Sequence, residues 1–389
     1  MQHFSQLEES EKELLFFKQP VNFTKDSPKA LLQASLGATI YCPSIRPNLL
    51  EDVQKLASKG ASSVVVCLED AIPDERVEEG EQNVQTLLKQ LNSLSDVEKE
   101  SLPLLFLRPR NPSHLWKIFR QNGDNLRHLT GFTFPKFDSL ADVAHGFTSV
   151  LAEINQEERL ALYFMPILES PSIIYRETRE ASLSLVSNVL AEHKDSLLAV
   201  RIGATDMSSA YGLRRSPDFT IYDVNVVSSA IADIVNVFGR ADFGTIITGC
   251  VWEHFNSVPR TLKPQLRESI FSDDKKLRSR LLHEDYDMLL REIQLDKING
   301  ITGKTVIHPT HIGLVHSLLV VNHEEYSDAL DILSDGKAGG GAHASQYKNK
   351  MNEVKPHSAW ANKIKNRADA FGVSNENIDF IDFLERFKF

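Results

Sequence analysis

Short apolar runs alternate with amphipathic segments along most of this chain. The apolar runs predict eight strands, at 38–44, 62–69, 103–110, 131–137, 161–169, 197–203, 244–249 and 302–309. Apolar residues recur with a helical period at 49–59, 78–91, 139–155, 173–193, 223–238, 279–293 and 314–333. Strands without polar alternation, separated by helices, indicate a parallel sheet that is covered on both faces. Eight such units favour an α/β fold of the closed (β/α)₈ TIM-barrel type over an open sheet.

Two further segments flank the predicted barrel. Residues 1–36 contain a polar helix and a connector broken by Pro20 and Pro28, so we expect an N-terminal helical extension. Residues 37–333 would form the catalytic barrel domain. Residues 334–389 begin with a glycine-rich hinge, and we expect the remainder to be a C-terminal lid or oligomer-contact segment. No GxGxxG follows the first strand and no GxxxxGK[ST] occurs, which disfavours the nucleotide-binding open sheets.

Composition and charge narrow the class of protein. A net charge of −10 and a pI near 5.7 argue against nucleic acid as the main partner, because phosphate binding requires a basic face. The sequence contains no apolar run long enough for a membrane span, and its start lacks the features of a signal peptide. Its three cysteines show no CxxC spacing, so buried apolar roles are favoured over disulfides or a thiolate metal site. We expect a cytoplasmic protein with a small-molecule substrate.

Charged residues follow the predicted strands at their C-terminal ends, where TIM barrels place active sites. Glu169 and Asp206 end two consecutive runs, and carboxylates that converge there would suit a divalent cation. Either residue could instead cap the helix that follows it. The same positions after the other strands contain Arg46, Glu69, Asp70, Arg108, Arg110, Lys136, Glu253, Lys304 and His308.

Arg108 is the most informative of the basic residues. It lies inside a predicted strand, where an unpaired charge is costly. A strand arginine that faces the barrel mouth can hold a carboxylate bidentately, and the alternative is a salt bridge to Glu69 or Asp70. The pair Arg214-Arg215 could bind a substrate phosphate or carboxylate, or could be solvated charge.

Seven motifs, in order along the chain, resemble those of a known superfamily. They are Pro43-Ser44-Ile45-Arg46-Pro47, Val66-Cys67-Leu68-Glu69-Asp70-Ala71, Leu107-Arg108-Pro109-Arg110-Asn111-Pro112, Phe134-Pro135-Lys136, Ile167-Leu168-Glu169-Ser170, Gly203-Ala204-Thr205-Asp206-Met207 and Gly303-Lys304-Thr305-Val306-Ile307-His308-Pro309. Over roughly residues 37–325 the chain resembles the HpcH/HpaI aldolase and citrate lyase beta-subunit superfamily. It looks closest to a divergent branch of C–C bond lyases.

The resemblance implies a TIM barrel and a Mg²⁺-dependent lyase or aldolase. Its substrate would be a small carboxylated compound or an acyl thioester such as a coenzyme A ester, which would react through a metal-stabilised enolate. Relatives suggest a homo-oligomer, a trimer or a hexamer. The implied catalytic residues are Glu69, Asp70, Arg108, Lys136 and Glu353; the substrate-binding residues are Arg46, Arg108, Arg110, Arg214 and Lys304; and the metal ligands are Glu169 and Asp206.

The chain also departs from the superfamily pattern. Cys67 and Thr205 stand where the motifs have acids, and Glu353 stands near the place of a tail aspartate that can reach a neighbouring subunit. These departures leave the use of coenzyme A open. They also leave two alternatives: a thioesterase on the same scaffold, and a non-catalytic barrel that binds a metabolite or partner.

Overall fold

A computed structural model describes residues 1–138, 142–255, 286–335 and 341–387. Eight parallel strands close into one barrel in sequence order, and the eighth pairs with the first. The strands, numbered first to eighth, are Ala38–Pro43, Ser63–Cys67, Leu104–Arg108, Gly131–Phe134, Tyr163–Leu168, Ala199–Ile202, Ile246–Trp252 and Lys304–Val306. The predicted (β/α)₈ TIM barrel is therefore confirmed. Parts of the predicted segments, at 139–141, 279–285 and 336–340, lie outside the described residues.

A helix follows each strand and covers the outside of the barrel. These helices are Leu49–Ser58, Val77–Asn92, Pro112–Asn122, Val143–Glu157, Arg176–Glu192, Asn225–Phe238, Asp287–Ile298 and Thr310–Leu319. Shorter helices at Asp96–Glu100, Pro171–Ile174 and Ala204–Ser209 lie in the connections. Among the described residues, no helix is long and apolar enough to cross a membrane.

The helical stretch predicted at 314–333 is wrong as one element, since the structure divides it into Thr310–Leu319 and His323–Asp335. The break has two physical causes. Val321 forms a β-bridge with Val373, which requires extended backbone. The Asn322 side chain accepts a hydrogen bond from the Glu325 N–H at 2.7 Å, which is a cap for the second helix.

The N-terminal extension closes one end of the barrel. It contains the helix Glu9–Leu15, the short strand Phe16–Lys18 and the helix Lys29–Ser35. Leu32 and Leu36 pack with Leu104 and Ala199, the first residues of the third and sixth strands. The extension therefore seals the N-terminal end of the barrel interior with apolar side chains.

The C-terminal tail packs at this same end. Its hairpin, Ala342–Ala344 with Met351–Glu353, leads into the helix Val354–Phe371, which packs against the helices His323–Asp335 and Lys29–Ser35. The strand Val373–Ser374 pairs with Phe16–Lys18, and the helix Phe380–Arg386 contacts Thr310–Leu319. We expected a possible lid here, but within this chain the tail lies away from the C-terminal ends of the strands, because it packs on the extension.

Candidate active site

Five charged residues of the predicted site converge at the C-terminal end of the barrel. Glu69, Arg108, Lys136, Glu169 and Asp206 end or follow the second to sixth strands, which are neighbours in the barrel. Because all eight strands are parallel, these strand ends lie on one rim. The sequence pattern therefore brings together residues that are up to 137 positions apart.

Arg108 is the centre of the cluster. Its Nη2 lies 2.8 Å from Glu69 Oε2, 3.3 Å from Asp70 Oδ2 and 3.2 Å from Glu169 Oε1. The side chain is 8% exposed, so these ion pairs compensate a charge that is largely removed from water. Its pKa is raised, because the nearby acids, Glu169 first, outweigh the opposing effect of burial. Of the two alternatives for Arg108, the salt bridges are present, and they hold the guanidinium at the rim.

Lys136 is the second cation of the cluster and contacts three acids. Its Nζ lies 2.6 Å from Glu69 Oε1, 3.3 Å from Asp70 Oδ2 and 3.9 Å from Asp206 Oδ1. Partial burial lowers the pKa of Lys136, but the hydrogen bond with Glu69 and the surrounding carboxylates raise it by more. Lys136 is therefore a cation at neutral pH. Its backbone has φ +47°, which is rare for a residue with a side chain, and its N–H donates to Glu169 Oε1 at 2.9 Å.

Glu169 is buried beside a second carboxylate. Burial raises the pKa of Glu169 to about 7; the Arg108 guanidinium opposes this shift, and the charge of Asp206 adds to it. Both of its hydrogen bonds, from Arg108 and from the Lys136 N–H, fall on Oε1. Among the described residues, Oε2 accepts none. A Cβ added to Gly203 would lie 2.1 Å from Oε2 and 2.5 Å from the Glu169 Cβ, so glycine at 203 makes room for this carboxylate.

The capping alternatives for the two acids are not realised. Asp206 is the third residue of the helix Ala204–Ser209, whose N-cap is Gly203 and has no side-chain cap bond. Its side chain is 36% exposed and faces the Lys136 ammonium. Glu169 precedes Ser170, the N-cap of Pro171–Ile174, and accepts its backbone hydrogen bond from Lys136 instead.

The donor set of Glu169 and Asp206 fits Mg²⁺. This cation is commonly held by one or two carboxylates and keeps several waters, so two acids at an open rim suffice. Within the described residues, no group of three or more His, Cys, Asp or Glu side chains could hold a metal by itself. A cation between the two acids would relieve the repulsion and desolvation that raise the pKa of Glu169.

Three predicted substrate-binding arginines lie around the cluster without joining it. Arg46 is exposed and pairs with Asp52, with Nη2 2.9 Å from Oδ1. Arg110 is partly buried and pairs with Asp74. Arg214 is exposed on the connection after the sixth strand. Each belongs to a loop at the C-terminal end of the barrel, so all three remain candidates for the outer part of a binding site.

The structure does not place Lys304 with these residues. Lys304 begins the eighth strand, in register with the first residue of the first strand, and is fully buried. Its Nζ lies 2.8 Å from Glu292 Oε1 and 2.7 Å from Asp296 Oδ2 on the helix outside the barrel. The motif predicted Lys304 near the rim. The residue instead lies at the N-terminal end of the eighth strand, where its side chain forms the two buried ion pairs.

Arg215, the second arginine of the predicted pair Arg214-Arg215, shares the buried partner Glu292 with Lys304. Arg215 pairs with Glu292, and its Nη2 donates to the Val251 carbonyl at 2.8 Å. Its guanidinium lies 4.9 Å from the Trp252 ring centroid. Solvated charge is therefore the wrong interpretation for Arg215. It ties the connection after the sixth strand to the seventh strand, a role that no motif signals.

Glu353 also lies outside the cluster within this chain. It is the N-cap residue of Val354–Phe371, and its N–H donates to His357 Nδ1 at 3.1 Å. The tail packs at the N-terminal end of the barrel, so Glu353 could reach a rim only on another subunit. Its predicted catalytic role stays a prediction.

Two substitutions relative to the superfamily motifs have visible consequences. Cys67 Sγ lies 4.0 Å from Arg108 Nη1, so a weak acceptor replaces the acid that the motif would place there. Thr205 Oγ1 donates to Glu253 Oε1 at 2.7 Å, which connects the sixth and seventh strand ends. Both replacements are visible in the sequence. The contacts are not, because Arg108 and Glu253 lie more than 40 positions from Cys67 and Thr205.

Comparison with known proteins identifies a family with the same fold. The sequence matches the C–C bond lyase family of the TIM-barrel fold over residues 30–373. Because that match spans most of the chain, this protein belongs to the TIM-barrel C–C bond lyase family and is a lyase. The comparison with curated proteins finds no match.

Solved structures give the same fold. A citrate lyase from Burkholderia xenovorans LB400 is 16% identical, with a TM-score of 0.58, covering 91% of this chain and 96% of that chain. CitE from Mycobacterium tuberculosis, solved with magnesium, acetoacetate and coenzyme A, is 16% identical, with a TM-score of 0.50, covering 86% of this chain and 99% of that chain. At these identities the likeness supports the barrel architecture alone.

Proposed function

We propose that this protein is a Mg²⁺-dependent lyase that cleaves or forms a C–C bond next to a carbonyl group, on a small carboxylated or acyl-thioester substrate. One observation supports the proposal most strongly. Glu169 and Asp206 lie together at the barrel mouth, beside Arg108 and Lys136, and the charge of one raises the pKa of the other. Burial and the charge of Asp206 outweigh Arg108 and Lys136 at Glu169, so the two acids keep an unfavourable charge that a bound metal ion would offset.

Glu169 and Asp206 would hold the metal. When bound, Mg²⁺ supplies a Lewis acid that stabilises negative charge developing on a carbonyl oxygen of the substrate. Glu69 and Asp70 are paired with Arg108 Nη2 and Lys136 Nζ, so they would position water or substrate rather than the metal.

Arg108 would hold the substrate carboxylate. Its Nη2 is occupied by three acids, but its Nη1 meets the weak acceptor Cys67, and its Nε has no hydrogen-bond partner among the described residues. The replacement of an acid by Cys67 thus leaves donor capacity on the guanidinium. A planar fork of this kind suits a carboxylate.

Lys136 would act as a cation and a proton donor. Its raised pKa keeps it protonated at neutral pH, so it is a poor general base. The proton that leaves a substrate hydroxyl in the cleavage direction would pass to the Glu69–Asp70 pair, which Lys136 already contacts. The electron pair of the broken C–C bond would remain on the fragment that becomes the enolate, and this fragment is then protonated.

The outer arginines are suited to the remainder of a larger anionic substrate. Arg46, Arg110 and Arg214 line the loops around the same rim, and a coenzyme A thioester carries phosphates that such residues bind. A homo-oligomer in which the tail of one chain approaches the rim of another would give Glu353 its expected role.

The test is turnover by the purified protein with Mg²⁺ and a panel of hydroxyacyl-coenzyme A esters and 2-oxo acids. Formation of a carbonyl product and of free coenzyme A would be followed separately. We expect carbonyl product from the wild type, loss of at least 100-fold for Asp206→Asn, and no loss for Glu180→Gln, an exposed glutamate on Arg176–Glu192. Free coenzyme A without a cleaved carbonyl product would indicate a thioesterase. Full activity of Asp206→Asn would contradict the proposed metal site.

A further inference from the structure

A second cleft lies at the end of the barrel opposite the candidate active site. It has a volume of about 650 Å³, within the range of small-molecule sites. Its walls are the helix Lys29–Ser35, the start of the seventh strand, the end of Asp287–Ile298 and one face of the tail helix Val354–Phe371. None of the residues that line this cleft belongs to the candidate active site.

The charged residues that line this cleft are mostly basic. They are Lys297, Lys363 and Arg367, with Glu325 as the only acid among the described lining residues. Arg367 Nη2 lies 2.8 Å from Glu325 Oε2, so the single carboxylate is already engaged. The cleft therefore has an excess of positive charge in a chain whose net charge is −10.

Lys297 is the cation of this cleft with the least compensation, and the charge of Arg367 acts on it. Lys297 Nζ has one hydrogen bond, to the Leu318 carbonyl at 3.4 Å, and no ion pair among the described residues. Burial, and next the charge of Arg367, lower the pKa of Lys297 to about 8. Arg367 Nε is buried without a hydrogen-bond partner. Cations in this state are stabilised by an anion that binds between them.

The cleft also presents apolar surface next to these cations. Trp360 is 37% exposed on the tail helix and Ile298 is 82% exposed at the end of Asp287–Ile298. Ile247 and Leu319 line the same space. An exposed indole offers a flat face on which an aromatic or otherwise planar group can stack.

We propose that this cleft is a second binding site, for a small organic anion whose charged group pairs with Lys297 and Arg367 and whose planar apolar part lies against Trp360. The site is separate from the catalytic rim and does not depend on the proposed reaction. Lys363 is exposed on the tail helix Val354–Phe371 at the entrance of the cleft, where its charge attracts anions over a longer distance.

The probe for this site is 8-anilino-1-naphthalenesulfonate, a planar aromatic anion, titrated into the full-length protein and followed by fluorescence. We expect one saturable site whose apparent Kd rises at least fivefold in Lys297→Gln and in Trp360→Leu, and at least twofold in Lys363→Gln. The matched control is Lys365→Gln, because Lys365 is exposed on the same helix but pairs with Asp369 outside the cleft. Its Kd should remain that of the wild type.

Two results would overturn the proposal. The first is the absence of saturable binding; a change of molecular mass in light scattering for Trp360→Leu would then assign the cleft to subunit contact. The second is an equal loss of affinity in Lys363→Gln and Lys365→Gln, which would indicate unspecific surface charge. Lys363 is exposed, so Lys363→Gln should fold normally and the test does not depend on Lys297→Gln or Trp360→Leu alone.

Discussion

Glu169→Gln should make the metal-free protein more stable at pH 8, although it removes a proposed metal ligand. The Glu169 carboxylate is buried, and its burial and Asp206 raise its pKa to about 7 in spite of Arg108. Glutamine has the shape of the protonated acid and can still accept the Lys136 N–H at Oε1. The substitution therefore removes an unfavourable charge and keeps the contact.

The magnitude follows from the difference between the two pKa values of this group. In the unfolded chain the carboxyl has an ordinary pKa of 4.5, against about 7 in the folded protein. Between these values the folded state binds more protons, so the contribution of Glu169 to stability is present below pH 4.5 and is lost as the pH rises through 7. A shift of this size corresponds to about 3 kcal/mol at 1.4 kcal/mol per pH unit.

Urea unfolding at pH 5 and pH 8, with and without Mg²⁺, measures this effect. At pH 5 the free energies of unfolding of variant and wild type should differ by less than about 1 kcal/mol. At pH 8 without metal the variant should be more stable by about 3 kcal/mol. Mg²⁺ at 100 times its Kd should stabilise the wild type by about 2.7 kcal/mol and the variant little. Equal stabilities at pH 8, or equal stabilisation of both proteins by Mg²⁺, would refute the reasoning.

Three further outcomes are expected. Gly203→Ala should cost about 1–3 kcal/mol of stability and weaken Mg²⁺ binding, because the new methyl group displaces Glu169; unchanged denaturation and titration curves would contradict this. Lys304→Met should cost about 3–5 kcal/mol by leaving buried carboxylates unpaired, while the KM of the folded fraction stays unchanged; a raised KM would restore Lys304 to substrate binding. Burial lowers the pKa of His316 to about 3, and its Nε2 accepts the Ala38 N–H, so in Glu169→Gln, where the opposing contribution of Glu169 is absent, stability should fall below pH 6.5 by up to about 1.4 kcal/mol per pH unit, and a flat profile of that variant would contradict this.

The barrel and its rim could be predicted from the sequence for a physical reason. Buried parallel strands must be apolar throughout, so the eight strands are visible as eight runs, and all eight form. Parallel strands also point their C-terminal ends the same way. The convergence of Glu69, Arg108, Lys136, Glu169 and Asp206 follows from that geometry alone.

The errors concern residues whose place depends on ion pairs with another element of the fold. Lys304 follows a glycine in a rim motif, but Glu292 and Asp296 on the preceding helix Asp287–Ile298 hold it in the protein interior. Arg215 has the same partner, Glu292, 77 positions away, and nothing in the local sequence predicts it. Pairings between distant segments decide such positions, and hydrophobic periodicity carries no information about them.

The tail illustrates the same limit. Its polar composition suggested a lid or a subunit contact. Subunit contact stays a prediction, but a lid over the rim of the same chain is not formed, since the helix Val354–Phe371 packs on the N-terminal extension at the other end of the barrel. The apolar residues that decide this, such as Ala361 and Ile364, are few and are buried against the helix His323–Asp335. The sequence of an amphipathic helix shows which face is apolar, but it does not show which surface that face packs against.

The central claim is that Glu169 and Asp206 form a Mg²⁺ site, and calorimetric titration of Mg²⁺ at pH 8 tests it most directly. The proteins to compare are the wild type, Glu169→Gln with Asp206→Asn, and the surface control Glu180→Gln. We predict one Mg²⁺ per chain for the wild type and the control, and no measurable binding by the double variant. Binding of Mg²⁺ by the double variant with the affinity of the wild type would contradict the claim.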